Sequence, residues 1–120
     1  MKDLAEPFGS MMGTKNYYRH RLIRDVLYTD GIKDMCETLR CWWIIDLIAS
    51  YQGFNPAKSC SYQVWKIVID NHSALAQCYD YDNKAIISQN IQTTDLPDGQ
   101  ILCVCIDNGD CMIVALPVED

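Results

Sequence analysis

From Ser61 onward the apolar residues of this chain fall at every second position, and turn-forming residues interrupt the alternation at short intervals. A period of two means strands with one face turned inward. Tyr62 to Asp70 reads as a strand, and N-H-S at Asn71 to Ser73 turns into Ala74 to Tyr79. Y-D-N-K around Asp82 and Asn83 turns again into Ala85 to Thr93, and L-P-D-G at Leu96 to Gly99 breaks the pattern before Ile101 to Ile106. D-N-G-D then leads into Cys111 to Leu116, and its Asn-Gly pair suits the positive φ angles of a tight hairpin. Five strands joined by short turns predict an antiparallel meander, with something apolar needed to cover one face.

The segment T-D-G-I-K-D-M-C-E-T-L-R-C-W-W-I-I-D-L-I-A-S-Y-Q, Thr29 to Gln52, is the natural cover. Thr29 or Asp30 supplies an N-cap, Asp34 an early acid, and Gly53 a left-handed stop. Ile32, Cys36, Leu39, Trp43, Leu47 and Ser50 form one stripe, widened by Met35, Trp42 and Tyr51, whereas Lys33, Glu37 and Arg40 oppose it only in the first half. The helix is therefore expected to enter the core as it proceeds, which buries Asp46 among Trp, Ile, Leu and Ala. Upstream, Leu22, Ile23, Val26 and Leu27 have the spacing of a short helix from Arg19 to Leu27. The expected fold class is α+β: one long helix on a roughly five-stranded antiparallel meander. Residues 1–120 form a single domain, with a loop-rich segment over 1–28, the helix over 29–53 and the sheet over 61–117.

At 49% hydrophobic and 22% charged residues the chain has the composition of a folded globular protein. No stretch approaches the ~20 apolar residues of a membrane span, and M-K-D-L-A-E-P-F-G-S has no leader-like apolar core, so a cytoplasmic protein away from membranes is expected. The seven cysteines, at 36, 41, 60, 78, 103, 105 and 111, are odd in number and contain no C-x-x-C pair. They read as reduced thiols filling a core, ahead of a metal site made from Cys103, Cys105 and Cys111. No cofactor is implied.

Chemistry concentrates in Tyr17, Tyr18, Arg19, His20, Asp30 and Asp46. A buried Asp beside His or Arg can act as a tuned acid or base, but it more commonly anchors a loop, here by accepting hydrogen bonds from the Y-Y-R-H segment. Tyr17 to His20 together with Asp46 can also line a small ligand pocket, hydrolytic or merely binding. His72 falls in a turn. No Ser or Cys has a nucleophile's context, no H-E-x-x-H occurs, and G-S-M-M-G-T lacks the Lys-Ser/Thr ending of a phosphate loop.

Four blocks carry a resemblance: Y-Y-R-H at Tyr17 to His20, L-Y-T-D-G at Leu27 to Gly31, W-I-I-D-L-I-A-S-Y-Q at Trp43 to Gln52, and Q-V-W-K at Gln63 to Lys66. Together they resemble an uncharacterised family of small bacterial, phage and plasmid proteins known only as a domain of unknown function. The resemblance implies a home on mobile elements and supplies no catalytic residues. A net charge of −6 opposes direct binding to nucleic acid, while the acids Asp80, Asp82, Asp95, Asp98, Asp107 and Asp110, placed at turns, suit a basic protein partner. The expectation is a non-enzymatic interaction protein of mobile-element type, an anti-CRISPR-like inhibitor of a host nucleoprotein defence complex.

Overall fold

The alternation after Ser61 is realised strand by strand, but the strands pair differently from a meander. The computed structural model describes residues 1–120. Its strands are β1 Tyr17–Arg19, β2 Val26–Thr29, β3 Tyr62–Asp70, β4 Ser73–Tyr79, β5 Ala85–Ile91, β6 Gly99–Asp107 and β7 Met112–Ala115, joined in one sheet of order β1-β2-β7-β6-β3-β4-β5. β3, β4 and β5 are consecutive hairpins, after which β6 returns to pair with β3, Tyr62 opposite Ile106 and Ile69 opposite Gly99. That is a Greek key. β2 lies parallel to β7, so the five-stranded antiparallel meander is replaced by a seven-stranded mixed sheet. Hydrophobic period identifies strands, whereas pairing order depends on long-range contacts that the period does not encode.

The single long helix is also replaced. α1 spans Asp30–Leu39 and α2 spans Trp42–Tyr51, separated by Arg40 in the left-handed region at φ 56°. The N–H groups of Arg40 and Cys41 both turn back to the Cys36 carbonyl, and the Cys36 and Cys41 side chains are buried beside this corner. This is a left-handed helix ending, with Arg where Gly is usual. Phase explains the need for it. α1 buries Ile32, Met35 and Cys36, and α2 buries Ile44, Ile45, Ile48 and Ala49. On a continuous helix at about 100° per residue these sets would point to nearly opposite sides. The break lets both face the sheet.

The break also corrects the expected stripe: Leu39, Trp43 and Leu47 are only half-buried, and Ser50 is exposed. Trp42, Asp46 and Ser50, four residues apart, form the outward stripe of α2. The short helix expected from Arg19 to Leu27 is instead the β1–β2 hairpin. Leu22 and Ile23, which suggested a helical face, stand in solvent at its tip, while Tyr-Tyr-Arg and Val-Leu-Tyr-Thr are sequences that fit strands.

One face of the sheet carries the core. On β3, Gln63, Trp65, Ile67 and Ile69 point inward and are fully buried, and the last three meet Cys103, Cys105 and Ile101 of β6 and the helices in a cluster of 25 buried residues. No helix is long and apolar enough to cross a membrane.

Candidate functional site

Alternation along β1 decides which members of the Y-Y-R-H block can reach α2. Tyr18 and His20 point inward, whereas Tyr17 and Arg19 are exposed on the other side, so the expected four-residue pocket with Asp46 does not assemble. Arg19 bonds instead to the Arg24 carbonyl across the hairpin tip. His20 alone meets Asp46, with Nε2 2.8 Å from Oδ1.

The hydrogen bonds fix the tautomer of His20. Its Nδ1 accepts the backbone N–H groups of Leu22, at 3.1 Å, and Ile23, at 2.9 Å, so the ring proton belongs on Nε2 and is donated to Asp46. Both nitrogens are thus committed. The imidazole, 6% exposed, staples the hairpin tip to α2 and has no nitrogen left to take a proton from a substrate. Asp46 departs from expectation in the other direction: its side chain is 67% exposed, because it lies on the outward stripe of α2. Only Oδ1 is engaged.

Around this pair is a concavity of about 440 Å³ lined by His20, Arg21, Leu22, Tyr28, Trp42, Ile45 and Asp46. Its opening carries exposed apolar surface, Leu22 at 78% and Trp42 at 37%, beside the charged Arg21 and Asp46. Tyr28 and Trp42 meet edge to face at 5.6 Å, and Tyr18 stacks on the far side of Tyr28. Lys33 lies over the Tyr18 ring, 5.5 Å from its centroid. A wider, shallower groove of about 840 Å³ runs on the other side of Asp46 between α2 and the segment Gln89 to Leu96.

Strand directions divide the turn acids. Asp80 and Asp82, in the β4–β5 turn, share one end of the sheet with Asp107 and Asp110, in the β6–β7 turn. Asp95 and Asp98 lie at the opposite end. The β1–β2 tip belongs to the first end, since Val26 pairs with Met112 and Asp25 accepts the Met112 N–H. Three of the six are occupied locally: Asp80, Asp98 and Asp107 accept backbone N–H groups of Asp82 and Lys84, of Asn71, and of Gly109. Asp82, Asp95 and Asp110 are exposed and accept none through their side chains. No three His, Cys, Asp or Glu side chains are gathered where they could hold a metal ion.

The sequence pattern of a family of unknown function, DUF6876, matches residues 2–120. The chain belongs to that family. A crystal structure of a protein of unknown function from Enterococcus faecalis shares the fold, with a TM-score of 0.56 and 13% identity over 94% of this chain and 97% of that one. No curated protein matches the chain.

In this DUF6876 chain the other quoted blocks resolve into joints. In L-Y-T-D-G, the Thr29 hydroxyl caps α1 at the Ile32 N–H, and Glu119 reaches over from the C-terminus, accepting the Thr29 hydroxyl at 2.6 Å and the Gly31 N–H at 3.1 Å. A Cβ on Gly31 would stand 2.8 Å from that carboxylate, so glycine makes room for it. Desolvation works against the charge of Asp30. It is outweighed by hydrogen bonds from the Tyr18 hydroxyl, the Lys15 and Asn16 backbone and the Thr14 hydroxyl, which together hold the carboxyl at about 2.

Gln52 and Gln63, from the last two blocks, form a reciprocal amide pair at 2.8 and 3.0 Å. Gln63 also accepts the Trp65 indole N–H at 2.9 Å and donates to the carbonyls of Ala57 and Cys60. The cysteines mostly fill the core: five are buried, with Cys60 and Cys111 half-exposed. Burial pushes the Cys78 thiol up to about 12 and those of Cys103 and Cys105 further.

Proposed function

We propose that this chain is an interaction module whose binding surface is the hairpin tip and the outward stripe of α2. The observation that carries the reading is the contrast between committed polar groups and uncommitted apolar ones. His20, Asp30 and Glu119 are spent on joints, while Leu22 and Trp42 stand in solvent around a preformed hollow and Ile23 is exposed next to Leu22. Leu22 and Ile23 are held out by the His20 staple, so little ordering entropy remains to be lost when a partner docks. Trp is among the side chains that dominate binding energy at such surfaces.

Charge supports a basic partner. The chain is at −6, and Asp82 and Asp110 are free at the same end as the tip. An acidic end steers encounter with a basic surface, and the basic channel of a nucleic-acid-handling defence complex has that chemistry, which makes anti-CRISPR-like inhibition the functional extension of this reading.

Affinity capture from a host extract, identified by mass spectrometry and repeated with Leu22→Ser/Trp42→Ser and with Asp82→Lys/Asp110→Lys, tests it. The first pair should abolish capture of a specific partner. The second, taking the net charge from −6 to −2, should weaken capture and flatten its salt dependence. Capture unchanged by both pairs would refute the module as placed here.

A further inference from the structure

The hollow at the tip has a chemistry that selects its occupant, and the inference below rests on the interaction reading. We infer that it is a receptor for a single cationic side chain, arginine or lysine, presented by the partner protein. The Asp46 carboxylate is held in place through Oδ1 by the Nε2–H of His20, which is itself locked by two backbone N–H groups. Oδ2 has no protein partner, the side chain is two-thirds exposed and Asp46 lines the hollow, so a carboxylate oxygen already held by the scaffold is available to a donor there. Beside it, Tyr28 and Trp42 supply aromatic surface, and Ile45 supplies an apolar contact for a methylene stem.

The same aromatic series already holds a cation at its other end. Tyr18, Tyr28 and Trp42 follow one another at 5.6 Å, and Lys33 sits over Tyr18. A guanidinium or ammonium against Trp42 and Asp46 would repeat that contact with a carboxylate added. An anionic occupant is disfavoured, because the fixed charge in the hollow is Asp46. Arg21 is the one cation of the lining. It lies on the exposed turn, forms no hydrogen bond or ion pair, and is free to point away.

Titration of the full chain with N-acetyl-arginine methylamide, followed by the indole N–H resonances, tests this directly. The Trp42 signal, assigned with Trp42→Phe, should shift saturably, and the neutral N-acetyl-citrulline methylamide should leave it in place. Asp46→Asn keeps an oxygen to accept the His20 proton, so the tip should stay folded, yet binding should weaken by about tenfold or more. Arg21→Ala should bind as well or more tightly. Absence of a saturable shift, equal binding of citrulline, or binding of N-acetyl-glutamate methylamide that Arg21→Ala abolishes would each overturn the assignment. Partner capture that depends on Leu22 and Trp42 would survive such a failure, so the two readings can fall separately.

Discussion

Replacing Gln63 by Leu removes the centre of a buried polar network and leaves its partners in place. Gln63 has no exposed surface, nor does Trp65, and Gln52 is 9% exposed. In the variant the Trp65 N–H loses its acceptor, the Gln52 amide loses both its reciprocal bonds, and the Ala57 and Cys60 carbonyls lose a donor. A buried polar group left without a partner costs about 1–3 kcal/mol. Two to three such groups therefore cost roughly 3–6 kcal/mol, and the added apolar burial of Leu returns about 1–2 kcal/mol. The net loss should be about 2–4 kcal/mol, a fall of roughly 10 °C in Tm for a domain of this size.

Equilibrium urea unfolding, followed by Trp fluorescence, measures it. The network account makes a second demand: Gln52→Leu/Gln63→Leu should cost less than the two single changes added together, by about 1–2 kcal/mol, because each removes the group that the other orphans. A Gln63→Leu protein within 1 kcal/mol of the parent on that ~1–3 kcal/mol scale, or strictly additive singles, would refute the reasoning.

Other outcomes follow from the joints. The Asp30 carboxyl is lower in the folded chain, at about 2, than its ordinary 3.8, so its contribution is present above about pH 4 and lost as pH falls towards 2. In thermal melts against pH, Asp30→Asn should be less stable than the parent near neutrality, and the gap should close by about pH 2. His20→Ala should cost about 2–3 kcal/mol in urea unfolding and speed amide exchange at Leu22 and Ile23 selectively, since those N–H groups lose their acceptor. Iodoacetamide at pH 8 should modify Cys60 and Cys111 in the native protein first, and all seven thiols only after unfolding, with the buried Cys78, Cys103 and Cys105 held back by access and by raised thiol values.

What could be read from the residues, and what could not, follows the range of the interactions. Strands β3 to β7 were legible because a half-buried strand writes its alternation locally. The return of β6 to β3 and the parallel seat of β2 beside β7 were not, since both rest on pairings thirty or more residues apart. The α1–α2 break left a signal in the helical phase, where the apolar sets before and after Arg40 do not line up, but no Gly or Pro marked it and Arg itself favours helix. Asp46 was misplaced for the same reason: once the break resets the phase, its spacing from Trp42 and Ser50 puts it outside.

The blocks that made the chain recognisable are, in three dimensions, contacts between distant elements. T-D-G ties α1 to the segment from Thr14 into β1 and to Glu119; His20 and Asp46 tie the hairpin tip to α2; Gln52, Gln63 and Trp65 tie α2 to β3. Each closes a loop in the chain, and apart from the second oxygen of Asp46 the side chains in them are bonded within the scaffold. A motif spent this way identifies a fold and leaves its activity open. Function then has to come from groups with capacity to spare. Beside Trp42 that group is the second oxygen of Asp46: the first holds the fold together, and the second is left to a partner.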